Sequence, residues 1–261
     1  VYKRQVFEGI ARDFDHAEAM IRTAEITLEP AQDHFVVTPL AAVVSASMPL
    51  HRVFDANDSQ NRIYSPINGG GRPAMRLGLR SQAVLKHIRW LNSEFCDLLG
   101  SALAAPVELL SIARESLQLG DDCHGRTPHA SQVLMAGLEQ SIGGGIQNAE
   151  MRDFINSSPS LFLNIWMAAS KCIMMSASGI PDSSFVTAVG GNGVDTGIQI
   201  SALPGRWFSA PAKPPTGRCD VDLPPERALP ARGDSAVVEG LGLGAMALNL
   251  APAQCNGAGG C

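Results

Sequence analysis

No run of apolar residues in this chain approaches the roughly 18 needed to span a bilayer as a helix, so a membrane is not an expected partner. Positive charge is not in excess either. Twenty Lys and Arg stand against 25 Asp and Glu, a net charge of -5, which argues against nucleic acid, because binding to a phosphate backbone needs a basic face. No CxxC pair occurs among the six cysteines, Cys96, Cys123, Cys172, Cys219, Cys255 and Cys261. Their scatter suits neither a disulfide framework nor a zinc site. No charged start followed by an apolar stretch marks a secretory signal. Six reduced thiols in a cytoplasmic protein are therefore expected. A GxSxG elbow is missing, so a Ser-His-Asp hydrolase has no support, and "GGNGVDTG" lacks the Lys-Ser/Thr ending of a phosphate loop. No internal repeat is present.

What the chain does contain is apolar material: 45% of 261 residues are hydrophobic and only 17% charged, enough for one large domain or two modest ones with a substantial core. Phe7, Ile10, Phe14, Ala17 and Ile21 recur at helical spacing and predict a helix over 6–26, closed by Glu29-Pro30. Val-, Ala- and Ser-rich stretches broken by proline predict short strands near 34–38, 41–47, 50–55 and 61–66, with a turn at Asn68–Gly71. Helices are expected over 81–103, 106–119, 128–142, 148–156 and 160–178. Two β-rich runs flank Asn192-Gly193, a strong hairpin-turn pair. A Pro-rich loop over 211–233 and a last helix over 235–250 complete the pattern, with Asp234 or Ser235 as its N-cap and Glu239 one turn inside. The expected fold class is α+β: a mostly antiparallel sheet with a helical segment, about 80–179, inserted between two strand-rich regions. In domain terms, residues 1–5 ("VYKRQ") are expected to be a non-native leader, 6–30 the end of a helical subdomain, 31–252 the α+β domain and 253–261 a disordered tail, the whole being a piece of a longer protein.

The densest chemistry lies in "GDDCHGRTPHAS", Gly120–Ser131, between two predicted helices. Gly120 suits a left-handed helix stop, Thr127 an N-cap and Pro128 a first helical position. The amides of the next helix's first turn would then form an anion site, with Arg126 adding a fork of donors. The His124 imidazole suits protonation of a leaving oxygen or polarisation of a carbonyl near neutral pH, and Asp121 and Asp122 are placed to orient His124 or Arg126. The alternative is a capped interhelical turn carrying a solvated ion pair. Cys123-His124 with His129 does not match metal-ligand spacing, so no metal is expected. Asn164 and Lys171, seven apart, share a helix face, either as a site or as a boundary stripe.

Taken in order, "PLAAVVSASMPL", "GDDCHGR", "LFLNIWMAASK", "GNGVDTGIQISAL", "RWFSAPA" and "GDSAVVEGLGLGAMA" resemble the YlbE-like family, long grouped as a domain of unknown function, over about residues 6–252. That family is similar to the AllG subunit of oxamate carbamoyltransferase. The resemblance implies a cytoplasmic hetero-oligomer with an FdrA-like subunit and a third small subunit. It also implies a reaction exchanging a carbamoyl group between oxalurate and phosphate, to give oxamate and carbamoyl phosphate, with no cofactor. Gly125, Gly191, Thr196 and Gly240 depart from the family pattern. Chemistry placed on these motifs gives His124, Arg126 and Asp122 as catalytic candidates, and Asn164, Lys171, Asn192, Asp234 and Ser235 as candidates for binding the small anionic substrates carbamoyl phosphate and oxamate. Convergence of Arg126, His124, Asn164 and Asn192 in one cavity would favour an enzyme, or, without turnover, a small-anion binding protein; dispersal would favour a non-catalytic scaffold subunit.

Overall fold

The structure is a computed structural model, described here for residues 1–39, 42–68, 73, 80–158, 160–214, 224 and 227–251. It is α+β, built around one buried helix, and every described strand ladder is antiparallel.

The amino-terminal helix expected over 6–26 is two: α1 (Tyr2–Phe7) and α2 (Phe14–Arg22). Gly9, in the left-handed region at φ 72°, turns the chain out of α1, and the Asp13 side chain restarts it by accepting the His16 N–H at 2.7 Å. Within α1, Arg4 and Gln5 are buried. A 3-10 turn takes residues 31–34, and of the strand expected over 34–38 the described residues form only a parallel bridge, Val36 to Tyr64. The strand expected over 41–47 is absent from its described residues, 42–47; Leu40 and Ala41, like Gly69–Gly71 of the expected turn, lie outside the described residues. β1 (Leu50–Phe54) and β2 (Arg62–Pro66) form a hairpin in the register His51 to Ser65 and Val53 to Ile63, with those four side chains inward.

The helical segment follows. α3 (Gln82–Trp90) continues into α4 (Cys96–Ala102) through one π-helical turn, Leu91–Phe95. The wider turn brings residues five apart together, and Trp90 stacks on Phe95 at 5.2 Å, with Phe154 against both edges. α5 (Leu109–Gln118) is capped by Glu108, whose carboxylate accepts the Leu110 and Ser111 N–H groups, and so begins three residues later than Pro106 suggested. α6 (Pro128–Ile142) matches its expected bounds, ending at left-handed Gly143. α7 (Ala149–Asn156) is capped by Asn148. α8 (Leu161–Met175) is buried along nearly its whole length. It packs against the β1–β2 hairpin, α6 and the second sheet, so it needs apolar residues on every side, and "LFLNIWMAASKCIMM" supplies them.

The second sheet runs β5 (Phe208–Pro211), β4 (Asp195–Ile200), β3 (Val186–Asn192), β6 (Arg232–Gly233). β3–β4 is the expected hairpin; β5 and the two-residue β6 sit in stretches without alternating pattern. The last helix, expected over 235–250, is a four-residue α9 (Ala236–Glu239) followed by a 3-10 segment, Gly244–Leu250. Gly242 and Gly244, at φ 79° and 66°, break it. Residues 215–223, 225–226 and the tail 252–261 lie outside the described residues. No described helix is long and apolar enough to cross a membrane.

Candidate functional site

The loop Gly120–Thr127 joins α5 to α6 and is organised by its two aspartates. Gly120 takes the left-handed conformation expected of it, at φ 93°. Asp122 is buried, and its Oδ1 accepts the backbone N–H of both His124 and Arg126 at 2.8 Å. One carboxylate oxygen thus fixes a tight turn from which the imidazole and the guanidinium both project. The turn forces Cys123 to φ 60°, and its thiol is buried against Ser116 Oγ at 3.4 Å. Burial pushes that thiol up to about 11, so it stays protonated at neutral pH.

Asp121 overturns one expectation. Its carboxylate is fully buried and accepts the Ala130 N–H at 2.9 Å, in the first turn of α6. The anion site expected there is already filled by the protein's own carboxylate, which is tethered nearby and needs no binding entropy. Burial raises the Asp121 pKa above the usual carboxylate range. Arg126 Nε stands 4.0 Å from Asp121 Oδ1, and the Arg126 side chain keeps 38% of its surface exposed. Arg126 is therefore held near the helix start but not buried in it.

His124 is oriented by a residue more than a hundred positions away. Its Nδ1 lies 2.6 Å from Glu239 Oε1, at the end of α9. The same carboxylate accepts the Ala245 N–H, and Gly244 N–H donates to the Asp122 carbonyl at 2.8 Å. Loop, α9 and 3-10 segment are thus clasped at one point. A Cβ on Gly244 would overlap the Glu239 carboxylate and stand 2.9 Å from His124 Cβ, so only glycine fits. The side chains of His124 and Glu239 keep 23% and 31% exposure, leaving the pair open on one side. Glu239 therefore closes no capping box at α9.

The remaining candidates lie elsewhere. Lys171, on α8, is 2% exposed and donates to the Thr187 carbonyl on β3 at 2.6 Å. Burial pulls its pKa down to about 8, against the attraction of Asp234 and Asp33. Asp234 accepts from Gln32 Nε2 at 3.0 Å and from Thr38 N–H and Oγ1 at 2.9 and 3.1 Å. Its pKa is raised by burial, partly offset by those bonds. This core network ties the 3-10 turn and its following chain to α8 and β3. Ser235, beside it, starts α9 through its carbonyl, which accepts the Val238 N–H at 3.0 Å; its side chain makes no cap. Asn164 donates to the carbonyls of Asn68 and Ser160 and is buried. Asn192 is exposed at the β3–β4 turn, where its Oδ1 accepts the Val194 and Asp195 N–H groups. The structure thus brings together Asp122, His124 and Arg126, and separately Lys171 and Asp234. Asn164 and Asn192 are engaged in holding the fold in two other places. A small cavity of about 30 Å³ lies between α1, β2 and α3, lined in part by Lys3, Arg4 and Asn68, with room for a water or two rather than a substrate. Among the described residues, no three His, Cys, Asp or Glu side chains gather as a metal ion would need.

The family of oxamate carbamoyltransferase subunit AllG matches residues 26–235. The chain belongs to the AllG family. AllG of Escherichia coli K12, an oxamate carbamoyltransferase subunit, is 34% identical over 264 residues, covering 98% of this chain and 63% of that protein. YahG of the same organism, an uncharacterized protein, is 34% identical over 254 residues, covering 95% of this chain and 54% of its own length. The crystal structure of a conserved protein of unknown function from Enterococcus faecalis V583 superposes with a TM-score of 0.90 at 28% identity, covering 97% of this chain and 62% of that one. The chain spans between about half and two thirds of the relatives it matches. Asp122, His124 and Arg126 fall within the AllG-family span; Glu239 and Gly244, which complete their geometry, fall just beyond it. Those two escaped the sequence reading. "VVEGLGLGAM" offered one signal, a charged residue alone among small and apolar ones, but helix capping accounted for it equally well.

Proposed function

We propose that this chain is part of a subunit of a carbamoyltransferase complex that interconverts oxalurate plus phosphate with oxamate plus carbamoyl phosphate, working with an FdrA-like subunit and a third small subunit. Membership of the AllG family supports the class of complex. Within the chain, the half-open His124–Glu239 pair beside Arg126 carries the reading. Transfer of a carbamoyl group needs a proton-moving or polarising group and an anion clamp. His124 is the first and Arg126 the second, with Asp122 positioning both. No cofactor enters this scheme.

The dispersal of Asn164 and Asn192 bears on the division of labour. With both engaged internally, the donors that hold the oxamate end come from outside the described part of this chain: from a partner subunit or from the length that relatives possess beyond it. The alternative, a scaffold whose partner carries all the chemistry, draws support from the same dispersal. The two are separated in the full-length protein assembled with its partner subunits, by following carbamoyl phosphate formed from oxalurate and phosphate. Arg126→Lys keeps the charge but loses the bidentate fork, and is expected to raise the KM for phosphate about tenfold. A KM for phosphate unchanged in both Arg126→Lys and Arg126→Ala removes this residue from the site and favours the scaffold.

A further inference from the structure

Glu239 restricts His124 to one tautomer. An ionised carboxylate only accepts hydrogen bonds, so the 2.6 Å contact is made by a proton on Nδ1, and in the neutral ring the lone pair sits on Nε2. No described residue reaches Nε2 with a hydrogen bond, and the His124 side chain keeps 23% exposure. The charged groups facing the ring are few. Glu239 approaches from α9. Asp122, on the same loop, is turned to backbone amides. Arg126 is drawn toward Asp121. The 3-10 segment Gly244–Leu250 carries no titratable side chain. Glu239 is itself held at both oxygens by the Ala245 N–H, at 3.1 Å each, and Gly244 leaves the space for this clasp.

Resting on the carbamoyltransferase reading above, we propose that Glu239 is the positioning residue that makes His124 Nε2 the proton-transfer atom for the acceptor's amide nitrogen. Toward oxalurate, the amide nitrogen of oxamate attacks the carbamoyl carbon and the new N–C bond forms. The C–O bond to phosphate breaks, its electron pair leaving with inorganic phosphate, and the proton lost by nitrogen passes to His124 Nε2. Toward carbamoyl phosphate, a phosphate oxygen attacks the same carbon. The N–C bond breaks, and the imidazolium returns its proton to the departing nitrogen. Atoms and charges balance with no further reactant.

The test uses the full-length protein in its assembled complex, with wild type, Glu239→Gln, Gly244→Ala and His124→Asn. His124→Asn is expected to lower kcat by 10²–10⁴-fold. Glu239→Gln keeps an acceptor but removes the charge that stabilises the imidazolium. In the direction of carbamoyl phosphate, which needs the protonated ring, the limb at which activity falls with rising pH moves to lower pH. The kcat for that direction falls ten- to a hundredfold at neutral pH, with KM for oxalurate within about threefold. Gly244→Ala, which changes no polar group, gives the same kcat loss. An active wild-type complex whose pH profile and kcat are untouched by Glu239→Gln overturns the positioning role and leaves the functional reading standing. A wild-type complex that forms no carbamoyl phosphate overturns the functional reading and the transfer step with it. The positioning role is then read from the ¹⁵N shifts of labelled histidine in the full-length protein: a His124 titration unchanged by Glu239→Gln overturns that as well.

Discussion

Lys171 is a cation with nowhere to hydrate. It is 2% exposed and makes one hydrogen bond, to the Thr187 carbonyl. Burial lowers its pKa from 10.5 to about 8, and burial also raises that of nearby Asp234, so the core pushes both toward their neutral forms. The sign for Lys171 follows from proton uptake. Between about pH 8 and 10.5 the unfolded chain binds the proton and the folded chain does not, so this residue's contribution to stability rises with pH across that window. Relative to Lys171→Met, the wild type is expected to gain up to about 3 kcal/mol between pH 7.5 and 10, from urea unfolding at each pH. A difference independent of pH would mean that Lys171 titrates in the fold as it does in the unfolded chain, charged and hydrated across that window. Cys123 and Cys172 stand as buried thiols, each pushed up to about 11 by burial. They are expected to resist a thiol reagent in the folded protein at pH 7.5 and to react only on unfolding. Asp122, His124 and Arg126 were legible in the sequence, because reactive types crowd together there. Gln32, Thr38 and Thr187 were not, since each is an ordinary polar residue whose partner is remote in the chain.

At the scale of elements, a carboxylate from outside caps α6 and another packs against β3. Asp121 caps α6 from six residues before its N-cap, Thr127. Asp121→Ala leaves the buried Ala130 amide without its acceptor, and a loss of about 1–3 kcal/mol is expected by chemical denaturation, with Asp121→Asn losing less. Equal stability of the alanine variant would show that the cap is dispensable. On β3, a Cβ at Gly190 would lie 2.5 Å from Asp234 Oδ1 and 3.0 Å from Gln32 Nε2. The Thr38 bonds keep the Asp234 carboxylate from moving away. Gly190→Ala is expected to cost about 1–3 kcal/mol, read from the denaturation midpoint. The longer helices were legible from their apolar period, α6 to the residue. Failures came where glycine interrupts an apolar run, as at Gly9 and Gly242, and where strands are too short to alternate, as at β6. The stretch expected as the first strand, 34–38, keeps only a parallel bridge, Val36 to Tyr64, and follows a 3-10 turn over 31–34 whose Gln32 and Asp33 bond to β3, β4 and Trp207.

For the whole molecule, α8 is the organising feature: one apolar helix with a hairpin on one side and a four-stranded sheet on another. The fold class was readable from the order of strand-rich, helical and strand-rich stretches, whereas the site was only half readable, because the loop that carries it meets Glu239 through the fold alone. Apolar surface remains beside that site. Leu119, just before the loop, and Met246 and Leu250 of the last segment are each about half exposed or more, and Leu250 lies against Gly120. Apolar surface of this kind favours association. The chain by itself is expected to self-associate in light scattering, and Met246→Glu to reduce that; a monomer at every concentration would contradict it. In the proposed reaction His124 works on substrate, whereas Asn192 shapes a turn. The rate of carbamoyl phosphate formation from oxalurate and phosphate by the full-length assembled complex separates the two roles. A loss of at least a hundredfold is expected in His124→Asn, and a rate within about twofold of wild type in Asn192→Ala. Full activity in His124→Asn, or a collapse confined to Asn192→Ala, would contradict those roles.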